Sequence, residues 1–322
     1  MLIENANYNP QFIFKNKHFN TIYRTVFQQT IINYNRKRIE TEDRDFLDLD
    51  FSIVGSKKVV LIIHGLEGSS NSTYVQSLAL VLNTNNFDTV SINLRGCSGE
   101  ANRLLSSYHS GKTDDLDTVF HYLKQHCSYE EFYLVGYSLG GNMALKYTGE
   151  KGSAISNEIK KTVGVSVPCD LKGSSESLSS FWNKIYMQRF LVTLKQKVLD
   201  KSKEFPDSFI DKEKIQNATN FYDYDNLYTA PAHGFANALD YWSKCSSKQF
   251  IPEIKIPTLL VTAKDDPFLS DSCFPIREAL DNNYFTLEMT KYGGHVGFND
   301  KFLTKEGLWL ENRIANFLQN PE

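Results

Sequence analysis

The sequence predicts an α/β fold in which a mostly parallel central sheet carries helices on both faces. Short apolar runs alternate with amphipathic stretches along most of the chain, the order typical of such sheets. The run at 59–64 is almost wholly apolar and rich in β-branched residues, as a strand covered on both faces should be. The chain has 322 residues, 41% of them hydrophobic, which is enough for one large core. We therefore predict a single domain over 1–322.

The predicted elements follow one another at regular spacing. Residues 45–51 alternate loosely between apolar and polar, which predicts antiparallel strands at one edge of the sheet. The other strand-like runs lie at 59–64, 88–93, 131–136, 161–167, 257–262 and 284–289. Stretches with helical spacing lie at 73–82, 114–125, 143–147 and 305–317.

Between 174 and 250 the alternation of strands and helices stops. The segment 181–201 is amphipathic, and its apolar positions form one stripe: Phe181, Ile185, Phe190, Leu194 and Val198. We predict that 174–250 is a helical cap over a site, inserted before the last two strands; the alternative is an extra packing layer. The aromatic residues of this stretch favour an apolar ligand, although such residues more often form ordinary core: Phe181, Trp182, Tyr186, Phe190, Tyr241 and Trp242.

Charge and composition argue against several classes of protein. A formal net charge of −3 gives no electrostatic reason to expect nucleic acid as a partner. The lysine-rich stretch 184–203 is interleaved with apolar residues and predicts the solvated face of a helix, with contact to an anionic surface as the alternative. The five cysteines are scattered without a Cys-x-x-Cys pair, which argues against a disulfide framework or a zinc site and suits a reducing compartment.

The start of the chain lacks a basic segment followed by an apolar one, and the longest apolar runs are too short to span a bilayer. We therefore expect no transmembrane segment and a location in the cytoplasm. No metal and no cofactor are expected, because histidines and carboxylates do not occur at ligand spacing and no phosphate-binding glycine motif follows a strand. The oligomeric state is left open.

A candidate nucleophile, Ser138, lies between Gly136 and Gly140 at the end of a predicted strand and the start of a predicted helix. A serine on such a tight turn needs small residues two positions before and after it, because other elements crowd close. The pentapeptide Gly-x-Ser-x-Gly is common by chance, so its placement between strand and helix carries the prediction.

A serine hydroxyl becomes a useful nucleophile only when a base removes its proton. His295 lies in a glycine-rich loop after the last predicted strand, and it alone among the seven histidines has this placement. An acid that orients the base should follow the preceding strand, where Asp265 and Asp266 compete. We favour Asp266, because an apolar pair leads from it towards the next helix, and leave Asp265 as a residue that fixes the turn.

Acyl transfer also requires donors aimed at the oxyanion that develops in the transition state. One predicted donor is the backbone N–H of Leu139, immediately after the candidate nucleophile. The other is the backbone N–H of Leu66, in the loop after the strand at 59–64. His64 in the same loop is interpreted as a structural residue.

Together these motifs make the chain resemble the YheT-like branch of the α/β-hydrolases over nearly its whole length. The residues that carry the resemblance lie at 14–23, 93–100, 102–103, 108–111, 114–115, 165–171, 228–235 and 265–268. The sequence departs from the expected pattern at Lys17, Phe19, Cys169 and Ser270, which affects the expected substrate rather than the reaction. Arg95, Tyr108 and His109 are interpreted mainly as residues that brace a loop, with contact to an ester head group as the alternative.

The resemblance implies an α/β-hydrolase fold and a catalytic triad of Ser138, Asp266 and His295. It also implies a serine esterase that acts on a small-molecule carboxylic ester, and relatives of this branch act on lipid esters. We expect a short- to medium-chain apolar acyl group and an acyl-serine intermediate. An acyltransferase or a thioesterase would use the same residues, and a ligand-binding protein without turnover is the alternative from a different class.

Overall fold

A nine-stranded sheet forms the centre of the computed structural model, which describes residues 1–4, 6–27, 31–302 and 308–320. The strands are β1 (Leu2–Ile3), β2 (Asn35–Glu40), β3 (Phe46–Ser52), β4 (Lys58–Ile63), β5 (Asp88–Asn93), β6 (Glu131–Tyr137), β7 (Ile159–Val165), β8 (Thr258–Ala263) and β9 (Phe285–Thr290). Their order across the sheet is β1-β9-β8-β7-β6-β4-β5-β3-β2.

All neighbouring strands from β1 to β5 in that order run parallel. Only β3 and β2 are antiparallel to their neighbours, and they complete one edge of the sheet. The strands β6, β8 and β9 therefore end at the same edge, and the loops after them meet there.

Twelve α-helices surround the sheet in the described part of the chain. They are α1 (Lys17–Phe27), α2 (Thr73–Thr84), α3 (Thr113–His126), α4 (Leu139–Lys151), α5 (Leu171–Leu178), α6 (Lys184–Glu204), α7 (Lys212–Asn217), α8 (Phe221–Tyr224), α9 (Ala230–Ala232), α10 (Ala238–Cys245), α11 (Ile276–Asp281) and α12 (Trp309–Gln319). A π-helical turn, Asp225–Thr229, joins α8 to α9. None of the described helices combines the length and the apolar composition needed to cross a bilayer.

Each face of the sheet is covered by its own apolar layer. Helices α3 and α4 pack on one face, where Val119, Phe120 and Met143 join a buried cluster with β3 to β6. Helices α2 and α12 pack on the other face, where Leu78 and Ile314 join a second buried cluster. Burial on both faces explains why the central strands consist of continuous apolar runs rather than alternating ones.

These bounds confirm the predicted α/β fold class and a mostly parallel sheet. The predicted strands at 59–64, 88–93, 131–136 and 257–262 correspond to β4, β5, β6 and β8 within two residues at each end. The residues at 45–51 form β3, and β2 rather than β3 lies at the edge. The predicted last helix begins within 303–307, which lies outside the described residues, and α12 is described from Trp309.

The chain between β7 and β8 contains helices α5 to α10 and no strand among its described residues. Helices α5 to α8 share a buried cluster that includes Met187, Leu191 and Val198 from α6, whereas α10 packs with Leu171 in a separate cluster. The boundaries 174–250 of a separate cap stay a prediction.

The predicted apolar stripe of this segment is wrong at its first two positions. Leu194 and Val198 are buried, but Phe181 and Ile185 point to solvent. Met187 and Leu191 are buried together with Leu194 and Val198. Phe181 lies in a 3-10 turn before α6, and Ile185 lies on the opposite side of the helix.

Candidate active site

The turn between β6 and α4 holds Ser138 in a backbone conformation that few residues other than glycine adopt. Its φ is 51° and its ψ is −118°, so the residue is strained and its side chain projects from the end of the strand. The Ser138 N–H donates to the Val165 carbonyl at 2.8 Å, which fixes the turn against β7.

The two flanking glycines are required by close backbone contacts. A Cβ atom on Gly140 would lie 2.4 Å from the carbonyl oxygens of both Ile63 and His64, and one on Gly136 would lie 2.2 Å from the carbonyl oxygen of Gly140. Helix α4 therefore begins in contact with the end of β4. The glycine spacing in the sequence reflects these contacts.

The loop after β9 brings the His295 ring to the candidate nucleophile. His295 Nε2 lies 2.9 Å from Ser138 Oγ. On the other side of the ring, Nδ1 lies 2.9 Å from Asp266 Oδ2 and 3.1 Å from Oδ1. Because a carboxylate only accepts hydrogen bonds, Nδ1 carries the proton and Nε2 is left to accept from the serine hydroxyl. The three predicted triad residues thus form one hydrogen-bonded chain.

The neighbouring carboxyl group, Asp265, does not contact the imidazole. Its Oδ1 accepts from the Gly294 N–H at 2.9 Å, and its Oδ2 is buried with no hydrogen-bond partner among the described residues. Burial raises the pKa of Asp265 to about 6. Asp265 thus fixes the loop that carries the histidine, whereas Asp266 contacts the ring itself.

Three further residues hold His295, and motif spacing alone did not identify them. The His295 N–H donates to Thr21 Oγ1 at 2.9 Å, and the Val296 N–H donates to Ser166 Oγ at 3.0 Å. The Phe268 ring stacks on the imidazole with 4.1 Å between ring centroids. Thr21, Ser166 and Phe268 all belong to segments that carried the family resemblance, which was the available signal for them.

The loop after β4 contains the second predicted oxyanion donor, Leu66. Gly65 lies against the nucleophile, since a Cβ on it would be 3.2 Å from Ser138 Cβ. His64 is buried; its Nδ1 donates to the Gly65 carbonyl at 2.7 Å and its Nε2 accepts from the Leu94 N–H at 3.1 Å. Burial lowers the pKa of His64 to about 4, so the ring is neutral and has a structural role. In the described part of the chain, the N–H groups of Leu66 and Leu139 donate no hydrogen bond.

A polar network connects this loop to the inserted helices. The Glu67 N–H donates to Tyr108 Oη at 2.9 Å, and that hydroxyl donates to Glu67 Oε1 at 2.8 Å. Lys197 Nζ on α6 donates to the same Oε1 at 2.8 Å. Glu67 itself has a φ of 56°, so a strained residue next to Leu66 is held by a lysine of the insertion.

Arg95 is held by two carboxylates, and its interpretation as a residue that braces a loop stays a prediction. Its guanidinium is buried and pairs with Asp115 at 2.6 Å and with Asp43 at 2.7 Å. His109 packs on the rings of His233 and Tyr241, and burial lowers its pKa well below the usual value. Within the described residues, no group of three His, Cys, Asp or Glu side chains could hold a metal ion.

A cavity of about 400 Å³ extends from the candidate nucleophile between the sheet and the inserted helices. Ser138, Leu139 and His295 lie on its wall next to Leu66. The aromatic and aliphatic residues that line it are Leu178, Phe190, Leu194, Val198, Phe221, Tyr224, Tyr228, Tyr241, Trp242 and Phe268. The wall also includes charged side chains, among them Arg95, Lys197 and Lys201, but its surface is mostly apolar, as is typical of sites for small organic molecules.

Comparison with known proteins identifies the family. The family model described as alpha/beta hydrolase fold matches residues 58–285. YheT of Escherichia coli (strain K12) is 33% identical over 319 residues, which cover 97% of this chain and 93% of YheT. Phospholipase ABHD3 of Bos taurus is 25% identical over 303 residues, 91% of this chain and 73% of that protein. The solved structure of Pyrococcus furiosus esterase Pf2001 has a TM-score of 0.60 and 17% identity, over 98% of this chain and 97% of that one, and supports the fold.

The chain therefore belongs to the alpha/beta hydrolase fold family, and the predicted family is confirmed. Within that family it is an ester hydrolase similar to YheT, with esterases, lipases and phospholipases among its relatives.

Proposed function

We propose that the protein hydrolyses small carboxylic esters with a short- to medium-chain apolar acyl group, through an acyl-Ser138 intermediate. One observation carries the proposal: the unbroken hydrogen-bonded chain from Ser138 Oγ through the His295 ring to the Asp266 carboxylate. A serine, a base and an orienting acid in this order are what acyl transfer to a hydroxyl requires.

In the first half of the proposed reaction, Ser138 Oγ attacks the ester carbonyl carbon as its proton passes to His295 Nε2. Asp266 accepts from Nδ1–H and stabilises the imidazolium without taking the proton. The carbonyl oxygen becomes an oxyanion, and the backbone N–H groups of Leu66 and Leu139 donate to it. When the carbon–oxygen bond of the ester breaks, His295 gives its proton to the leaving alkoxide.

In the second half, water attacks the acyl-Ser138 carbonyl carbon and His295 takes a proton from that water. The bond between the acyl carbon and Ser138 Oγ then breaks, and the proton returns to Oγ. The products are one carboxylic acid and one alcohol, and the enzyme is restored. No metal or cofactor enters these steps.

The cavity supports the substrate class. Its volume of about 400 Å³ lies towards the lower end of the roughly 300–1,000 Å³ usual for ligand pockets. Phe190, Tyr241 and Trp242, which the sequence associated with an apolar ligand, line it. Because the relative from Bos taurus is named a phospholipase, lipid esters belong to the substrate class we propose.

The test uses p-nitrophenyl esters of increasing acyl length with the wild type and Ser138→Ala. We expect the substitution to lower kcat/KM by at least about a thousandfold, because triad residues act as a unit. A fluorophosphonate probe should label the wild type and not the variant. Turnover by Ser138→Ala at the wild-type rate would refute the mechanism.

A matched control is Ser153→Ala, which removes an exposed serine hydroxyl outside the site and should leave both labelling and turnover unchanged. Adding a competing alcohol and analysing the products separates hydrolysis from acyl transfer. If the new ester were the main product, the reaction would be acyl transfer at the same serine rather than hydrolysis.

A further inference from the structure

The 3-10 turn Phe181–Asn183 and the start of α6, which follows it directly, expose large apolar side chains that a folded protein ordinarily covers. Phe181, Trp182 and Ile185 are 74%, 79% and 71% exposed. The rings of Phe181 and Trp182 contact each other edge to face, with 5.4 Å between centroids. Val192, two turns beyond Ile185, is also exposed. These four residues, together with Lys184 and Arg189, form what we call the outer face of α6.

The charged residues of the outer face are both cations. Lys184 and Arg189 are both exposed and make no ion pair with any described residue, although Lys184 Nζ lies 5.8 Å from the centre of the Phe181 ring. No Asp or Glu occurs between residues 177 and 199. A cationic, aromatic-rich surface thus stands on a protein whose formal net charge is −3.

Helix geometry places these residues side by side. Ile185, Arg189 and Val192 follow at spacings of four and three residues, which lie on one face of a helix. The opposite positions, Met187 and Leu191, are buried in the helical cluster. Helix α6 therefore has an apolar inner stripe that packs on the protein and a second, mixed apolar and cationic stripe that does not.

The outer face is linked to the candidate catalytic base, His295, through two aromatic side chains. Tyr186, next to Ile185 in the chain, packs on the Phe268 ring at 4.8 Å, and Phe268 stacks on His295. The Tyr186 hydroxyl also lies 3.1 Å from His18 Nδ1, at the start of α1. A surface bound to the outer face would thus lie next to the end of the cavity that contains Ser138.

We propose that the outer face of α6 binds an anionic lipid surface, so that the enzyme takes lipid esters from that surface. Aromatic residues and cations on one side of a helix are the composition of helices that lie in a membrane interface. Aromatic side chains occupy the head-group level, and lysine or arginine pairs with anionic head groups. The statement about substrate rests on the proposed function, whereas the statement about binding does not.

A lipid surface fits these residues better than a second copy of the chain. Two copies related by a twofold axis would bring the cations of this face towards each other. An anionic bilayer instead provides a counter-charge for Lys184 and Arg189 and an apolar layer for Trp182.

The test measures binding to vesicles of phosphatidylcholine alone and of phosphatidylcholine mixed with phosphatidylglycerol. Trp182 provides the signal, because the other tryptophans, Trp242 and Trp309, are buried or partly buried. We expect a blue shift of the emission with the anionic vesicles that is absent in Trp182→Phe. Co-sedimentation should fall at least about tenfold in Phe181→Ser/Trp182→Ser, since the variant loses two interfacial anchors.

Replacing the cations tests the electrostatic part. Lys184→Gln and Arg189→Gln should each weaken binding to anionic vesicles about fivefold and leave binding to phosphatidylcholine unchanged. The matched control is Leu280→Ser, which removes an equally exposed apolar side chain from α11 and should bind as the wild type does. Turnover of a soluble p-nitrophenyl ester should be the same in all these variants.

Several outcomes would overturn the inference and leave the proposed function standing. One is wild-type binding to anionic vesicles by Phe181→Ser/Trp182→Ser. Another is the absence of any vesicle binding by a wild type that turns over soluble esters. A third is a dimer in light scattering that only the outer-face variants dissociate, which would assign the face to a second copy. Loss of soluble-ester turnover in Ser138→Ala is measured separately, so failure of one proposal is distinguishable from failure of the other.

Discussion

Two adjacent carboxyl groups follow β8, and their contacts assign them different tasks. Asp266 accepts from His295 Nδ1 and from the Phe268 N–H at 2.9 Å. Asp265 accepts from the Gly294 N–H one residue before the histidine. The first orients the ring, and the second orients the loop.

We therefore expect Asp266→Asn to lower kcat/KM for p-nitrophenyl butyrate by at least about a thousandfold, because the amide can stabilise the wrong imidazole tautomer. Asp265→Asn keeps an oxygen that accepts from Gly294 and should stay within about tenfold of the wild type. Thermal melts of both variants verify that each is folded. A larger loss in Asp265→Asn than in Asp266→Asn would reverse the assignment.

The sequence predicted the three residues that meet at the site, because each follows the end of a predicted strand and the fold fixes their order along the chain. It did not predict Thr21 or Ser166, which hold the backbone of the histidine loop from segments more than 100 residues away. A threonine and a serine are ordinary residue types, and only folding brings their hydroxyl groups to that loop.

Helix α6 contacts the loop after β4 through an ion pair. Lys197 Nζ reaches Glu67 Oε1, and Glu67 adjoins the proposed oxyanion donor Leu66. Tyr108 Oη holds the same residue from the loop before α3. Lys197 is thus a positioning residue: it acts on the reaction through the loop backbone.

Lys197→Met should lower kcat about tenfold and change KM for a small soluble ester by less than about twofold, because it displaces an oxyanion donor, which acts mainly in the transition state. Lys197→Arg should restore most of kcat. The control is Lys203→Met on the same helix, whose lysine pairs with exposed Asp200. If Lys197→Met and Lys203→Met lowered kcat equally, Lys197 would have no positioning role.

The elements themselves were predictable where periodicity was strong, as in β4, β5 and β6. The orientation of α6 was not. Its sequence carries two apolar stripes, one through Met187 and Leu191 and one through Ile185 and Val192, and helical spacing alone does not tell which packs inward. Tertiary contacts with the other inserted helices decide it.

Across the whole molecule, a buried ion pair joins segments from opposite ends of the chain. Arg24 Nη1 on α1 lies 2.5 Å from Glu311 Oε1 on α12, and Nη2 lies 3.1 Å from Oε2. Ser77 on α2 donates to the same Oε1 at 2.7 Å. Three helices on one face of the sheet therefore meet at one carboxylate.

We expect Arg24→Met to lower the free energy of unfolding by about 3–5 kcal/mol, because Glu311 would remain buried without its cation. The double variant Arg24→Met/Glu311→Met should recover much of that loss, since it leaves no unpaired charge. Urea unfolding measures both. As a control, Lys244→Met breaks an exposed pair with Asp240 and should cost less than about 1 kcal/mol; a similar cost for Arg24→Met would contradict the prediction.

The order of the strands in the sheet was only partly predictable from the sequence. Parallel strands and a mostly apolar core followed from the sequence, but the pairing of β1 with β9 did not. A strand of two residues, Leu2–Ile3, has no periodicity to detect, and its position depends on an edge built from the other end of the chain.

Helices α5 to α10 leave the sheet after β7 and return to it at β8, and these two strands are direct neighbours with Val165 paired to Val261. The insertion therefore spans no gap in the sheet, and its length and composition place no constraint on strand pairing. Other proteins of this fold could therefore carry different inserted helices on the same sheet, provided that a cation at position 197 still holds Glu67.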